Sequence, residues 1–157
     1  MRVAIAKDVI ARVDKIGQIA KGGYIDIDGN FCLGPNDLQE YVDEIEPYCT
    51  VCALGSILLS KARLYNNVPT SNFEAIYYHG GRPEIVESLK DIFPIEQLDL
   101  IESAFEKDLI FSSIISDSFI QEIKDAAMFG SEYKVAKDRL VAIMENIIEN
   151  NGEFIPA

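Results

Sequence analysis

The chain has 157 residues, 48% of them hydrophobic and 25% charged, which is ordinary globular composition for a single domain over 1–157. Fourteen Lys and Arg stand against 26 Asp and Glu, a formal charge of −12, so the field of the chain repels phosphate backbones and anionic membrane surfaces and disfavours direct nucleic-acid binding. The same balance leaves open a basic protein partner, a cationic ligand, or mimicry of nucleic acid by spaced carboxylates that would inhibit a basic protein.

Residues 1–20 carry Arg2, Lys7, Asp8, Arg12, Asp14 and Lys15, unlike the apolar core of a signal peptide. No stretch approaches the ~20 uninterrupted apolar residues of a membrane span. Three cysteines, an odd number, argue against a closed disulfide framework and suit a reducing compartment, so a soluble cytoplasmic protein is expected.

In chain order, Ala6, Val9, Ile10, Val13, Ile16 and Ala20 recur at helical spacing and predict a helix over 3–20, stopped by Gly22 and Gly23. Residues 24–33 then place two short β-prone runs around Asp28-Gly29, which predicts a hairpin with Ile25 opposite Cys32. Asp37 leads into a helical stripe of Leu38, Tyr41, Val42 and Ile45 that Pro47 ends. The next helix is expected over 49–65, apolar almost all round and therefore the most buried, with Lys61 and Arg63 complementing the dipole at its end.

Residues 66–72 read as loop, and 73–81, without clean periodicity, as irregular or a short strand. Pro83 suits the first turn of a helix through Ile85, Leu89 and Ile92, and Pro94 opens another through Leu98, Ile101 and Phe105. The apolar run 109–115 does not separate helix from strand by pattern. Ser118 and Gln121 read as a capping box for a helix through Ile123 and Ala127 that Gly130 closes. Ala136, Leu140, Ile143, Met144 and Ile147 define the last helix, over 131–150, with Asn151-Gly152 as its left-handed stop and an apolar segment 153–157 that folds back. The fold expected is mainly α, a single-domain bundle of six or seven helices with one small β-hairpin at an edge, the 49–65 helix central and the first and last helices against it.

Chemistry concentrates at Cys49-x-x-Cys52. A helix N-terminus lowers a thiol pKa, which makes a redox pair conceivable, but the redox motif belongs after a strand in a βαβ unit that the pattern lacks. Cys32, Cys49, Cys52 and His79 together supply the thiolates and imidazole of a Cys₃His zinc site, without the doubled pairing of common zinc modules. A cysteine nucleophile with His79, the one histidine of the chain, as base is the catalytic alternative; its orienting group and oxyanion donors are not indicated. The alternative to all three is packing, since free cysteine behaves as a small buried hydrophobe. Asp26, Asp28 and Asp37 mimic a calcium loop only loosely, the glycine standing at the wrong position. Glu40, Asp43, Glu44 and Glu46 form the densest acidic run and the candidate interaction surface, with further acid at Glu145, Glu149 and Glu153.

Lys21-Gly22-Gly23-Tyr24, Asp26-x-Asp28-Gly29, Tyr48-Cys49 and Cys52-Ala53-Leu54-Gly55-Ser56-Ile57 resemble a family of small uncharacterised phage and bacterial proteins, a domain of unknown function with a Cys-x-x-Gly-Ala-Leu helix start. Ser56 stands where that family more often has alanine, Cys49 is an addition, and the resemblance covers the first third of the chain. It implies no catalytic residue and no cofactor. Its structural meaning is that Gly55 and Ser56 let a second backbone approach the central helix. The function expected is therefore non-catalytic binding, of phage or bacterial accessory type, to another and basic protein through an acidic surface; the alternative is a thiol- or zinc-dependent enzyme using Cys49, Cys52 and His79.

Overall fold

The computed structural model of the chain describes residues 1–29, 33–34, 36–79, 81–112 and 116–156, with His79 described in its backbone alone. Helix α1 (Arg2–Arg12) buries Ile5, Ala6 and Val9 and ends earlier than its periodicity suggests. The reason is Gly17, whose N–H donates to Glu46 O at 3.1 Å and whose Cβ, if present, would lie 2.6 Å from Pro47 O. Only glycine lets the chain cross here, and Val13 and Ile16 are buried by the crossing rather than by a helix.

Beyond the crossing, β1 (Gln18–Ile19) pairs in parallel with β3 (Cys49–Val51), and β2 (Ile25–Ile27) pairs antiparallel with the other edge of β3, giving the order β1-β3-β2. The first strand expected of the hairpin thus joins a non-local mixed sheet as β2, and most of the second expected strand lies outside the described residues. Ile25 faces Val51 and Ile27 faces Cys49, four buried side chains that this register puts together. Cys32, the expected partner of Ile25, lies outside the described residues.

The segment between the edges is a chain of short helical turns: a 3-10 turn (Leu38–Glu40), α2 (Val42–Ile45) and a second 3-10 turn (Glu46–Tyr48) that contains Pro47. Helix α3 (Ala53–Tyr65) starts four residues later than expected, because 49–51 is strand; Cys52 is its N-cap residue, with extended backbone. All ten residues Ala53–Ala62 are buried, so α3 is the centre of the fold. The close-approach reading of Gly55 holds: a Cβ there would lie 1.9 Å from Tyr24 O, the carbonyl that accepts from Cys52 N.

Residues 70–79, expected as loop and irregular chain, form α4 (Thr70–His79), and Phe73 and Ile76 are its core anchors. Helices α5 (Arg82–Leu89) and α6 (Ile95–Glu106) follow their prolines as expected. No regular structure occupies 109–112. Helix α7 (Asp117–Ser131) is capped by Ser116, whose Oγ accepts from Phe119 N; Ser118, the expected cap, lies inside the first turn. In α8 (Ala136–Glu149) the expected stripe is buried except at Ala136, which is partly buried, Asn151 and Gly152 turn left-handed at φ 56° and 101°, and Phe154 folds back into the core.

Eight α-helices and one three-stranded sheet among the described residues make the chain mainly α. One contiguous apolar core runs from Ile5 to Phe154. Helix α3 packs on α1, α5 and α6, while α8 packs on α1 and α6, and α7 lies along α6.

Candidate functional site

Both described thiols are core groups. Cys49 is buried in the central strand and donates to Ile45 O at 3.3 Å, and Cys52 is buried at the start of α3; neither is in a disulfide. Burial pushes each pKa up to about 12, with Glu46 and Asp26 adding to the effect at Cys49 and Glu106 and Glu102 at Cys52. The amides of Gly55 and Leu54 pull Cys52 the other way, which is the helix N-terminal effect expected from the sequence. Desolvation outweighs it. A thiol at about 12 carries roughly a thousandfold less thiolate at neutral pH than one at its ordinary value of 9.0.

Cys32 and the imidazole of His79 lie outside the described residues, so the Cys₃His set is seen only through Cys49 and Cys52. Among the described residues no group of three or more His, Cys, Asp or Glu side chains is placed to hold a metal ion.

The acidic run is divided by the fold. Glu46 is completely buried, its carboxylate held by Arg12 Nε at 3.0 Å, by Arg12 Nη2 at 2.8 Å and by Arg63 Nη2. Arg63 also binds Asp8 at 2.6 Å, and Asp43 bridges both guanidiniums at 3.1 and 3.2 Å. Burying one carboxylate is tolerable only because two cations surround it, and the bond to Glu46 raises the Arg12 pKa. The network ties α1, α2 and α3 together. Glu46 is therefore no part of a solvated face, and Asp43, though 71% exposed, is neutralised. Glu40 and Glu44 remain exposed, Glu40 accepting from the Asn36 amide at 2.8 Å.

A second buried network has the same character. Arg82 donates to Asp99 at 2.5 Å and to Glu102 at 2.7 Å; Ser112 donates to Asp99 from its hydroxyl and its backbone, and Tyr24 donates to Glu102 at 2.7 Å. Burial, with the Glu102 bond, raises the Tyr24 pKa strongly. Nearby Glu106, against Gly22 N at 3.2 Å, is raised by its own burial. Arg139, buried without a carboxylate, donates instead to Phe105 O and Tyr133 O, closing the end of α6 as a cation should.

A different set of carboxylates lies on α6, α7 and the segment 153–156. Glu96 on α6, Glu122 and Asp125 on α7, and Glu153 line a groove of about 440 Å³ together with the apolar Leu100, Phe119, Phe154, Ile155 and Pro156. Gln97 completes the lining, and among the described residues no Lys or Arg contributes to it. Among the described residues none of the four carboxylates enters an ion pair; Asp125 accepts from the Gln121 amide at 2.9 Å. Helical spacing explains the geometry, because Phe119, Glu122 and Asp125 lie at successive i, i+3 positions and Glu96 and Leu100 at i, i+4. The sequence signal was present on each helix, but nothing local joins the two helices to Glu153.

Comparison with family models, with curated proteins and with solved structures gives no match.

Proposed function

We propose that the chain is a non-catalytic binding protein that takes up an amphipathic basic segment of a partner protein, apolar side chains on the groove floor and Lys or Arg over its rim. The observation that supports this reading is the groove between α6, α7 and 153–156, where four carboxylates and several apolar side chains share the lining and, among the described residues, no Lys or Arg lines it. Concavity favours an inserted segment over nucleic-acid mimicry, which asks for carboxylates displayed outward. The burial and raised pKa of Cys49 and Cys52 weigh against a thiol enzyme. Free thiols in the core fit a reducing, cytoplasmic setting, and the resemblance of the first third fits a phage or bacterial accessory protein.

Calorimetric titration with a synthetic Leu/Lys amphipathic peptide tests the reading, a Leu/Glu peptide of the same pattern being the control. Binding of the Leu/Lys peptide that weakens as salt rises, and that E122Q with D125N weakens several-fold, supports it. Equal binding of the two peptides, or binding indifferent to both rim substitutions, counts against it.

A further inference from the structure

One wall of the groove is not a helix. It is the extended segment 153–156, which supplies Glu153, Phe154, Ile155 and Pro156 to the lining. Extended chain outside a sheet has no ladder to satisfy its backbone groups, and those groups must be paired by something else. Here two side-chain amides do it, one from each side. Gln97 on α6 accepts from Phe154 N at 2.6 Å through Oε1 and donates to Phe154 O at 3.2 Å through Nε2. Asn146 on α8 accepts from Ile155 N at 2.8 Å through Oδ1 and donates to Ile155 O at 2.8 Å through Nδ2. Each amide thus reads both main-chain groups of one residue, as a neighbouring strand would.

The apolar anchoring is one-sided by comparison. The Phe154 ring is buried and meets Phe129 edge-on, centroids 5.3 Å apart, whereas Ile155 is 42% exposed. The Phe154 ring fixes where the segment docks, but a ring contact leaves rotation about the chain free. The two amide pairs set the direction of the backbone and so decide that Glu153, Ile155 and Pro156 are presented to the groove.

From this geometry we propose that Gln97 and Asn146 are positioning residues for the binding groove, and that the groove is an assembled site, present when the segment 153–156 is clipped down and absent when it is released. The proposal rests on the binding reading given above. It also makes the site conditional: anything that competes for the two amides switches off the groove without unfolding the helices. Asn146 is the sharper probe, because it does not line the groove and reaches a bound partner only through the segment it holds.

The test combines two measurements on the full chain and on N146L, Q97L and the double variant, leucine keeping the side-chain size while removing both bonds. Hydrogen exchange reads the Phe154 and Ile155 amides against those of α3, and titration with the Leu/Lys peptide reads the groove. The expected result is loss of protection at Phe154 and Ile155 with α3 protection retained, and a peptide affinity about tenfold weaker for N146L and weaker again for the double variant. Wild-type affinity in N146L with the Ile155 amide freed overturns the assembled-site proposal, as does unchanged protection of both amides in the double variant. Should a leucine variant lose α3 protection as well, F154A supplies the same comparison by releasing the segment at its ring, and peptide affinity unchanged there also overturns the proposal. A wild type that ignores the peptide is a different failure, seen before any variant is compared, and it removes the binding reading together with the proposal.

Discussion

Two sets of carboxylates in this chain have opposite fates. Asp8, Asp43 and Glu46 converge on Arg12 and Arg63, and Glu46 is sealed from water between them. Glu96, Glu122, Asp125 and Glu153 gather around a groove between α6, α7 and 153–156, and among the described residues they enter no ion pair. The first set is held by internal partners and serves the fold. The second enters no ion pair among the described residues and leaves its charge available, which is what the proposed binding of a basic segment requires. Density of acid along the sequence does not distinguish them; what distinguishes them is where the fold places Arg12 and Arg63.

The largest effect expected from this contrast is at Glu46. Replacing it with leucine leaves Arg12 and Arg63 facing each other across a buried gap, and urea denaturation should show a loss of about 3–5 kcal/mol. A loss below about 1 kcal/mol would break the comparison by making Glu46 equivalent to a surface acid.

The next effect is a pH response. Both thiols have folded pKa values raised from 9.0 to about 12, so the folded state holds their protons where the unfolded chain gives them up. Their contribution, a few kcal/mol each at most, is complete below about pH 9 and declines as pH rises toward 12. Tyr24, also raised, acts in the same direction at the alkaline end. Urea midpoints measured from about pH 8 to about pH 11, a window that spans the ordinary values of 9.0 for the thiols and 10.0 for tyrosine, should fall, and C52A should flatten the slope. A flat wild-type profile would mean that the thiols are not buried in the folded chain. Iodoacetamide with the modified positions mapped by peptide mass checks the same burial, since alkylation of Cys49 and Cys52 in the native protein should be far slower than of free cysteine.

Asp99 sharpens the contrast from the second network. D99N keeps the shape but removes the charge that Arg82 and Ser112 converge on, and a loss of roughly 2 kcal/mol in thermal or urea unfolding is expected. The smallest effect belongs to the rim. E122Q and D125N should change stability by about 0.5 kcal/mol or less, and in the direction of gain if their mutual repulsion matters, while weakening peptide binding. Rim substitutions that destabilise as E46L does would merge the two sets.

Much of the helical framework was legible because its signals are local. The stripe from Ala136 to Ile147, the prolines before α5 and α6, and the left-handed pair Asn151-Gly152 each carry their meaning within a few residues. The sheet was not legible, since β1 pairs with residues about thirty positions on and Cys49-Thr50-Val51 is too short to show alternation before the apolar run of α3 begins. The stripe of α4 was blurred because Tyr77 and Tyr78 follow Ile76 directly, so Phe73 and Ile76 did not stand out. At the site level, the Cys49–Cys52 pair was readable as packing from its apolar neighbours, and the structure puts both thiols in the core. The acidic run 40–46 drew attention because it is contiguous. The groove escaped it because its four carboxylates come from three places in the chain and meet only in the folded state.

The most direct test of the groove as a binding site is a salt-dependent titration of the Leu/Lys peptide into the wild type and into a variant carrying E96Q, E122Q, D125N and E153Q together. The account expects wild-type affinity to fall as salt rises, and the fourfold variant to bind at least about tenfold more weakly with a flatter salt dependence at unchanged stability. Equal affinity and equal salt dependence for the two proteins would contradict it, and would move any binding role to another face of the molecule.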